Sequence, residues 1–440
     1  MHSTPLRSRP LLNLLAVSVA TLSMTALPAH AVTQEELEAK VQALADEVGL
    51  LRSQLAKVTA DQRVAAAAPV STFTPQTTAT PARGVPELPA RDPGLSFFGY
   101  GQIDYARPTD NPSDSTATVS RFVLGINNQF DERTRLVSEL EIENTVSSAD
   151  DPGEVEVEQV YIERDLNDQM IAKGGLFLIP SGLLNENHEP TAYYGVLRNR
   201  VETAIIPTTW REGGALVQGN TSYGLRWDVG ITTGFDLSKW DPASPEGLES
   251  PLGSIHQELA LAKASDLSGV LAVNYTGIPG LRLGASIFSG DSSQGQAGFD
   301  DNRVTLWETH ATWAPGPFEF AALYAKGHIS NTAQINATFV GNPTLIPESF
   351  FGWYVQAAYH LLEWQTGSLR PFMRFERVNT ASDYANIAPG LTPSSADDLD
   401  IVTSGVNFQF AQNVVLKADY QHFSGNGESN QVNLGMGYQF

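Results

Sequence analysis

The chain has 440 residues, with 27 basic and 49 acidic side chains and no cysteine. An acidic chain lacks the basic surface that nucleic-acid binding requires. The absence of cysteine excludes disulfides, thiol chemistry and a lipoprotein anchor. After the N-terminal segment no apolar run is long enough to cross a bilayer as a helix, so a helical membrane protein is not expected.

Residues 1–31 have the pattern of a secretory signal peptide. Arg7 and Arg9 give a positive start, an apolar stretch runs from residue 11 to residue 27, and Ala29-His30-Ala31 has the small-x-small form of a cleavage site. The alternative is a buried helix. The signal predicts that the mature chain begins at Val32, outside the cytoplasm.

Residues 32–63 predict a short coiled coil. Apolar side chains recur in steps of four and three, with leucine mostly at one heptad position and valine mostly at the other. The seam residues are Leu37, Val41, Leu44, Val48, Leu51, Leu55 and Val58. Valine at a with leucine at d favours two parallel strands, and a single helix lying on the next domain is the alternative.

Residues 64–94 predict a semi-extended linker because they are rich in proline, alanine and threonine and show no core pattern. The prolines are Pro69, Pro75, Pro81, Pro86, Pro89 and Pro93.

From Leu95 to Phe440 the pattern changes to strands with period-two alternation, as in 223–231, 281–287 and 402–410. Short connections alternate with long polar ones, which is typical of outer-membrane barrels. The short connections include 131–133, 220–221, 315–317 and 411–413, and the long ones include 107–116, 291–302, 328–348 and 379–398. The sequence therefore predicts an all-β transmembrane barrel of antiparallel strands.

The last strand sets the strand count. Residues 432–440 alternate apolar and polar side chains and are expected to pair with the first strand. Both ends of the barrel are expected on the short-turn side, which requires an even number of strands. Residues 254–267 contain good helix formers, so we expect a helix there, within an outer loop 236–267. The count is then about sixteen.

Residues 178–211 form the longest connection between strong strands, and they are richer in large apolar side chains than the other long loops. A loop exposed to solvent would not carry these side chains. We expect this one to fold into the barrel and narrow the lumen. A role in contacts between subunits is the alternative.

Charges of both signs occupy the expected inward phase of the strands, an arrangement that orients dipolar or anionic solutes. The lumen candidates are Arg121, Arg135, Lys173, Arg226, Arg374, Glu139 and Glu141. The histidines are scattered without metal-ligand spacing, so no metal or other cofactor is predicted. Ser181 and His188 share the long loop without a nucleophile motif, which makes a hydrolytic barrel only an alternative.

The combination of signal, coiled coil, linker and barrel resembles the DcaP-like porins, within the wider phosphate-selective porin O and P group. The stretch that carries the resemblance most specifically is 174–203 followed by 205–214. It implies a homotrimer in the outer-membrane lipid, with the coiled coil in the periplasm. Phosphate-selective members resemble each other in dense arginine and lysine tracks, which this chain lacks.

The resemblance also implies a channel constriction at the long loop, with His188, Arg198, Arg200 and Arg211 as the matching positions. The predicted function is passive diffusion of small hydrophilic solutes through an outer-membrane porin, with a preference for small anions such as organic acids or phosphate. The alternative is a structural barrel that is tethered to periplasmic material through its coiled coil.

Overall fold

A computed structural model describes residues 94–440 except 147, 149–152, 300 and 426. The predicted signal peptide, coiled coil and almost all of the linker lie outside the described residues. Within the described ranges, no helix has the length and apolar character needed to cross a membrane.

Seventeen strands form one sheet in the described part of the chain. They are β1 Leu95–Pro108, β2 Thr116–Gln129, β3 Thr134–Glu143, β4 Glu154–Asn167, β5 Met170–Leu178, β6 Arg211–Asn220, β7 Leu225–Thr232, β8 Ser268–Ile278, β9 Leu281–Asp291, β10 Arg303–Trp313, β11 Phe318–Ile329, β12 Ser349–Tyr359, β13 Leu362–Trp364, β14 Gly367–Asp383, β15 Leu399–Ala411, β16 Val414–Ser424 and β17 Gln431–Gln439.

The sheet closes on itself. Neighbouring strands pair antiparallel around the ring, and β1 pairs with β17. Next to the last pair, the Gly99 and Phe440 backbones exchange hydrogen bonds of 3.1 and 2.8 Å. β13 has three residues and pairs only with β14, while β12 pairs directly with β14. Without β13, sixteen strands make the closed barrel. The prediction of a sixteen-stranded antiparallel barrel is therefore confirmed.

Side chains alternate between the two faces of the barrel wall. On β7, Val229 and Ile231 are 48% and 60% exposed, whereas Asp228, next to Val229, is fully buried. On β17, Val432 and Leu434 are exposed and Asn433 is buried. The apolar phase covers the outside and the polar phase faces the lumen, because successive side chains of a strand point to opposite faces.

The helical segments of the described chain are short and lie in connections. They are α1 Glu246–Glu249, α2 Thr332–Phe339, 3₁₀ turns at Pro112–Asp114, Leu237–Lys239 and Gly253–Ile255, and a π-helical turn at Val201–Ile205.

The predicted helix at 254–267 is wrong, although the segment does lie in a long connection. A 3₁₀ turn ends at Ile255, and Glu258, Leu259 and Leu261 all have positive φ. A right-handed helix cannot contain such residues. The amide of Gln257 donates to the carbonyls of Gly234 and Lys263, and its oxygen accepts from the Lys263 backbone. The Gln257 side chain thus satisfies backbone groups that a helix would otherwise pair. These contacts outweigh the helix propensity of the local sequence.

β4 contains a bulge. Its pairing with β3 shifts register between Glu139 and Leu140, whose partners are Gln159 and Val157. Glu158 is therefore the extra residue, and both Glu158 and Gln159 are buried on the inner side. The irregular apolar alternation of residues 154–164 predicts either a bulge or a wall that faces another subunit, and the bulge is present, since one inserted residue interrupts the alternation.

Candidate functional site

The connection between β5 and β6, residues 179–210, lies inside the barrel; we call it the inner loop. Trp210 is fully buried and packs against the rings of Phe235 and Phe288, with centroid distances of 5.5 and 4.6 Å. Val201 and Ile205 in the π-helical turn are also fully buried. Apolar burial inside the barrel is what keeps this long connection folded.

The inner loop crosses the lumen and is hydrogen bonded to the part of the wall opposite β5 and β6. The Val196 amide donates to Asp419 on β16 at 2.6 Å, and the Tyr194 hydroxyl donates to Glu319 on β11 at 2.7 Å. The Arg200 amide donates to Glu376 on β14 at 2.5 Å. Because these partners lie on separate strands, the inner loop is fixed in place across the pore.

Glu202 holds the two limbs of the inner loop together. One carboxylate oxygen accepts from the backbone amides of Leu183 and Leu184 at 2.5 and 2.8 Å. The other accepts from the Asn199 side chain at 2.8 Å and from the Tyr354 hydroxyl at 2.9 Å. A buried carboxylate with four donors is well compensated, and hydrogen bonds to a charged group are the strong ones.

Two glycines on β17 let the inner loop approach the wall. A Cβ added to Gly437 would lie 2.4 Å from Cβ of Pro190, and one added to Gly435 would lie 2.9 Å from Cγ1 of Val196. Neither distance is acceptable for carbon atoms. The glycines that alternate with the apolar residues in the last strand therefore make room for the inner loop.

The four predicted constriction residues have different environments. His188 is buried against the wall, and Arg211 is buried in ion pairs with Glu156 and Glu258. Arg198 donates to Thr209 at 3.1 Å and has no carboxylate within 4.0 Å among the described residues. The side chain of Arg200 is 43% exposed, with Glu428 at 3.5 Å. Of this set only Arg198 lacks a contacting carboxylate among the described residues, so the four do not form one ring of free charge.

Burial and a neighbouring cation both act on Arg198. Loss of water around its guanidinium and the positive charge of Arg121 lower the pKa of Arg198 from its ordinary value. An arginine remains protonated at neutral pH all the same. The inner loop thus keeps a positive charge that no described carboxylate neutralises at contact distance.

Most of the predicted lumen charges are paired along the wall. Arg121 binds Glu141, Arg135 binds Glu163, and Arg226 binds Glu186 and Asp228. Arg374 binds Glu376 at 2.7 Å, and Lys173 lies 5.3 Å from the ring centre of Tyr161. Glu139 has a different environment, since no basic Lys or Arg side chain of the described chain lies within 4.0 Å of it.

The pair of Arg226 with Glu186 joins the inner loop to β7 at 2.8 Å. Burial by itself raises the pKa of a carboxyl group, but Arg226 and Lys173 outweigh it and lower the pKa of Glu186. The carboxylate therefore stays charged and holds this end of the inner loop.

Sequence reasoning missed Tyr100 on β1, which hydrogen bonds to His188 of the inner loop. Glu158 was also missed, because the bulge moves it out of the expected phase. The bulge pattern in β4 was the one signal that pointed towards Glu158.

Ser181 and His188 belong to separate hydrogen-bond groups in the described structure. Ser181 accepts from Ser286 at 3.0 Å, whereas His188 contacts Tyr100, Glu158 and the Asn185 carbonyl. A serine nucleophile needs a base within hydrogen-bond reach, and this pair does not provide one.

No family model matches the sequence. A curated relative, an uncharacterized protein of Aquifex aeolicus (strain VF5), is 27% identical over 336 residues, which cover 74% of this chain and 75% of the relative.

Solved structures with a similar fold are outer-membrane proteins. OmpF of Salmonella typhi, solved with daunomycin, has a TM-score of 0.56 at 16% identity and covers 79% of this chain and 98% of its own. OmpT of Vibrio cholerae has a TM-score of 0.51 at 13% identity, over 80% of this chain and all of its own. The outer-membrane channel DcaP of Acinetobacter baumannii has a TM-score of 0.50 at 13% identity, over 79% and 97%. At these identities the likeness establishes the barrel fold.

Proposed function

We propose that the protein is an outer-membrane porin through which small hydrophilic solutes diffuse passively, with a preference for small anions. The observation that carries the proposal is a closed barrel that combines an apolar outer face with a charged interior crossed by the inner loop. Soluble barrels bury their apolar face, whereas this barrel exposes it, as a lipid-facing wall requires.

An aromatic group on the outer face supports insertion in a bilayer. Near the short-turn ends of β10 to β15, large rings are exposed on the outside and contact one another; they are Trp313, Phe318, Phe320, Tyr359, Trp364, Phe408 and Phe410. Transmembrane barrels carry such aromatic girdles at the membrane interface, where an amphipathic ring is stable. The resemblance to outer-membrane channels in fold agrees with this location.

The charge left free on the inner loop supports the anion preference. Glu141, Glu186 and Glu376 are paired with arginine, whereas Arg198 has no carboxylate within 4.0 Å among the described residues. The side chain of Arg200 is 43% exposed, with Glu428 at 3.5 Å. A positive group in a narrow part of a pore favours anions because it offsets part of the cost of removing their water. Organic acids and phosphate are the solute classes that fit.

Conductance in planar bilayers tests the proposal. The purified protein is expected to give discrete current steps, and a salt gradient is expected to give a reversal potential of the sign for anions. The absence of channel currents would contradict the porin proposal. Currents with cation selectivity would contradict the anion preference alone.

The heptad seam at Leu37 to Val58 supports a second, independent proposal that the chain forms an oligomer, a trimer by its resemblance to the DcaP-like porins. Deletion of 32–63 distinguishes an oligomer clamp from a tether to periplasmic material. Loss of oligomers with normal conductance per barrel is expected for a clamp. Loss of envelope integrity would instead favour a structural barrel tethered through this segment.

A further inference from the structure

A buried cluster joins the inner loop to the barrel wall and is not explained by solute transport. His188 of the inner loop, Glu139 of β3 and Glu158 of β4 each offer one ligand atom, and these atoms all lie within 4.8 Å of one another. All three side chains are buried, with 3%, 8% and 0% exposure. The sequence separates the three residues, so spacing alone could not have shown the cluster.

One hydrogen bond of His188 places a hydrogen on its Nδ1. Nδ1 lies 2.9 Å from the backbone oxygen of Asn185, which can only accept, so Nδ1 carries a hydrogen. Nε2 is then the ring nitrogen that faces the cluster, and it lies 2.7 Å from both the Tyr100 hydroxyl and Glu158 Oε1. Histidines that bind metal ions usually donate their other ring N–H to a carbonyl or carboxylate in this way.

Few donors reach the acceptors of the cluster; the Gln159 side chain hydrogen bonds to Glu139, and the other acceptors share the Tyr100 hydroxyl. The single hydroxyl hydrogen of Tyr100 faces His188 Nε2 at 2.7 Å and the Oε2 atoms of Glu139 and Glu158, both at 3.3 Å. Glu158 Oε1 is buried and makes no hydrogen bond of good geometry in the described part of the chain, with His188 Nε2 at 2.7 Å from it. An acceptor in that position is costly, because burial removes the water that would otherwise satisfy it.

The carboxylates of the cluster also outnumber the cations that contact them. Arg121 binds Glu141 and reaches Glu158 Oε2 only at 3.3 Å. Glu139 has no Lys or Arg partner within 4.0 Å in the described residues. The bulge of β4 moves Glu158 into this group and so adds a carboxylate to a place that already contains two. Buried carboxylates at this distance require a cation or protons.

We propose that Glu139, Glu158 and His188 bind a divalent metal ion, zinc by their chemistry, and that this ion clips the inner loop to β3 and β4. One imidazole and two carboxylates are ligands that zinc accepts, and the Tyr100 oxygen adjoins the same space. Ligand atoms of a tetrahedral zinc site are about 3.4 Å apart, given metal–ligand distances of about 2.1 Å. The Nε2 to Oε1 distance of 2.7 Å needs only a small side-chain movement to open by that amount.

The metal content of the whole protein tests the proposal. The full chain, purified in detergent without a histidine tag, is treated with EDTA, dialysed against micromolar zinc and then against buffer, and analysed by inductively coupled plasma mass spectrometry. About one zinc per chain is expected, because a site with three protein ligands retains the ion through dialysis. Cobalt in place of zinc should give visible d–d absorption bands, a readout that needs no variant.

Variants assign the ion to this site. Glu158→Gln keeps the shape of the side chain and removes its charge, and His188→Ala removes the nitrogen ligand; each should lower the zinc content at least tenfold. His310→Gln is the matched control, since His310 is equally buried and is paired with Glu308 at 2.8 Å elsewhere in the lumen. A heat-induced shift in gel mobility shows that each variant forms a barrel.

Three outcomes would overturn the proposal. They are a wild-type zinc content no higher than that of His188→Ala, a lack of cobalt bands in wild-type protein, and an equal loss of zinc in His310→Gln. Any of them favours the competing arrangement, in which an imidazolium binds Glu158 and a proton resides on Glu139. The outcome does not depend on the transport proposal, which is tested by conductance.

Discussion

The Thr191 hydroxyl donates to the side-chain oxygen of Gln439 at 2.7 Å. Thr191 belongs to a connection that begins and ends at the long-loop side of the barrel, whereas Gln439 pairs with Tyr100 and its amide donates to the Asn413 carbonyl at the short-turn side. The inner loop therefore runs through almost the full height of the barrel and returns. A loop of this depth occupies the lumen at several levels and not at one alone.

The close contact of the inner loop with β17 predicts the effect of a side chain at Gly437. Gly437→Val is expected to push Pro190 away from the wall, because even a Cβ would lie 2.4 Å from it. Overpacking of this kind costs about 1–3 kcal/mol of stability unless the loop moves. Single-channel conductance should change by more than its normal spread, and the thermal midpoint should fall.

Gly174→Ala is the matched control for that experiment. Gly174 also lies in a strand, and a Cβ there would meet no atom within 4 Å. Gly174→Ala should therefore leave the single-channel conductance and the thermal midpoint unchanged. If Gly437→Val behaves like Gly174→Ala, the inner loop does not rest on β17.

The four hydrogen bonds of Glu202 predict a protease-sensitive variant. Glu202→Ala removes the acceptor that joins Leu183 and Leu184 to Tyr354, and each hydrogen bond to a charged group contributes about 1.5–3 kcal/mol. The inner loop should loosen, and trypsin should cut after Arg198 or Arg200 in the variant at least tenfold faster than in wild-type protein.

Tyr354→Phe is the control, since it removes one of the four donors to Glu202 and leaves the others. It should give a small increase in cleavage. Mass spectrometry of the fragments identifies the cleavage sites. If Glu202→Ala resists trypsin as well as wild-type protein does, apolar burial alone holds the inner loop.

The free charge on the inner loop predicts the direction of a selectivity change. Arg198→Gln and Arg200→Gln should each lower the ratio of anion to cation permeability, because a positive group leaves the pore. The double variant should lower it further. Reversal potentials in a potassium chloride gradient measure the ratio.

Arg377→Gln removes the same charge from a different place. Arg377 pairs with Asp400 at 2.6 Å and alternates with the buried Glu376 and Val378, so it lies on the outer face. The reversal potential of Arg377→Gln should equal that of wild-type protein. A shift as large as that of the loop variants would mean that the total charge of the barrel sets the selectivity.

The lowered pKa of Glu186 predicts an acid-dependent step. A carboxyl group whose pKa is depressed on folding adds stability above its ordinary value near 4.5, and this stability is lost as the pH falls through the lower folded pKa. The urea concentration at the midpoint of unfolding in detergent should therefore decrease as the pH is lowered below about 4.5. Glu186→Gln should be less stable than wild-type protein at pH 7 and should show a weaker decrease on acidification.

Arg226 offers an independent check of that step, because it contributes most to the depression of the Glu186 pKa. Arg226→Gln should remove the same part of the acid dependence as Glu186→Gln, and the two changes together should add little. If both variants lose stability on acidification as wild-type protein does, other carboxylates cause the pH dependence.

The barrel was predictable from the sequence because its wall follows a local rule. In β7 and β17 successive side chains face opposite sides, so lipid contact and lumen contact appear as a period of two in the sequence. Closure adds the requirement of an even strand number. These constraints predict about sixteen strands without knowledge of distant contacts, and the closed barrel confirms that number.

The inner loop was predictable only in outline. Its apolar composition showed that it packs inward, but not that Trp210 contacts Phe235 and Phe288 or that Glu202 collects four donors. Such contacts join residues far apart in the chain, and no local pattern encodes them. For the same reason the four predicted constriction residues separate in the structure into paired and free groups.

The failed helix shows where local rules stop. Residues 254–267 have helix-forming composition, yet the Gln257 side chain and three residues with positive φ fold them as turns. The sequence by itself determined the wall, since the alternation of a strand is a property of neighbouring residues. The tertiary structure alone decided where the inner loop lies, which charges are paired, and how Glu158 meets Glu139 and His188, because burial, hydrogen bonding and charge neutralisation depend on residues that only the closed barrel brings together.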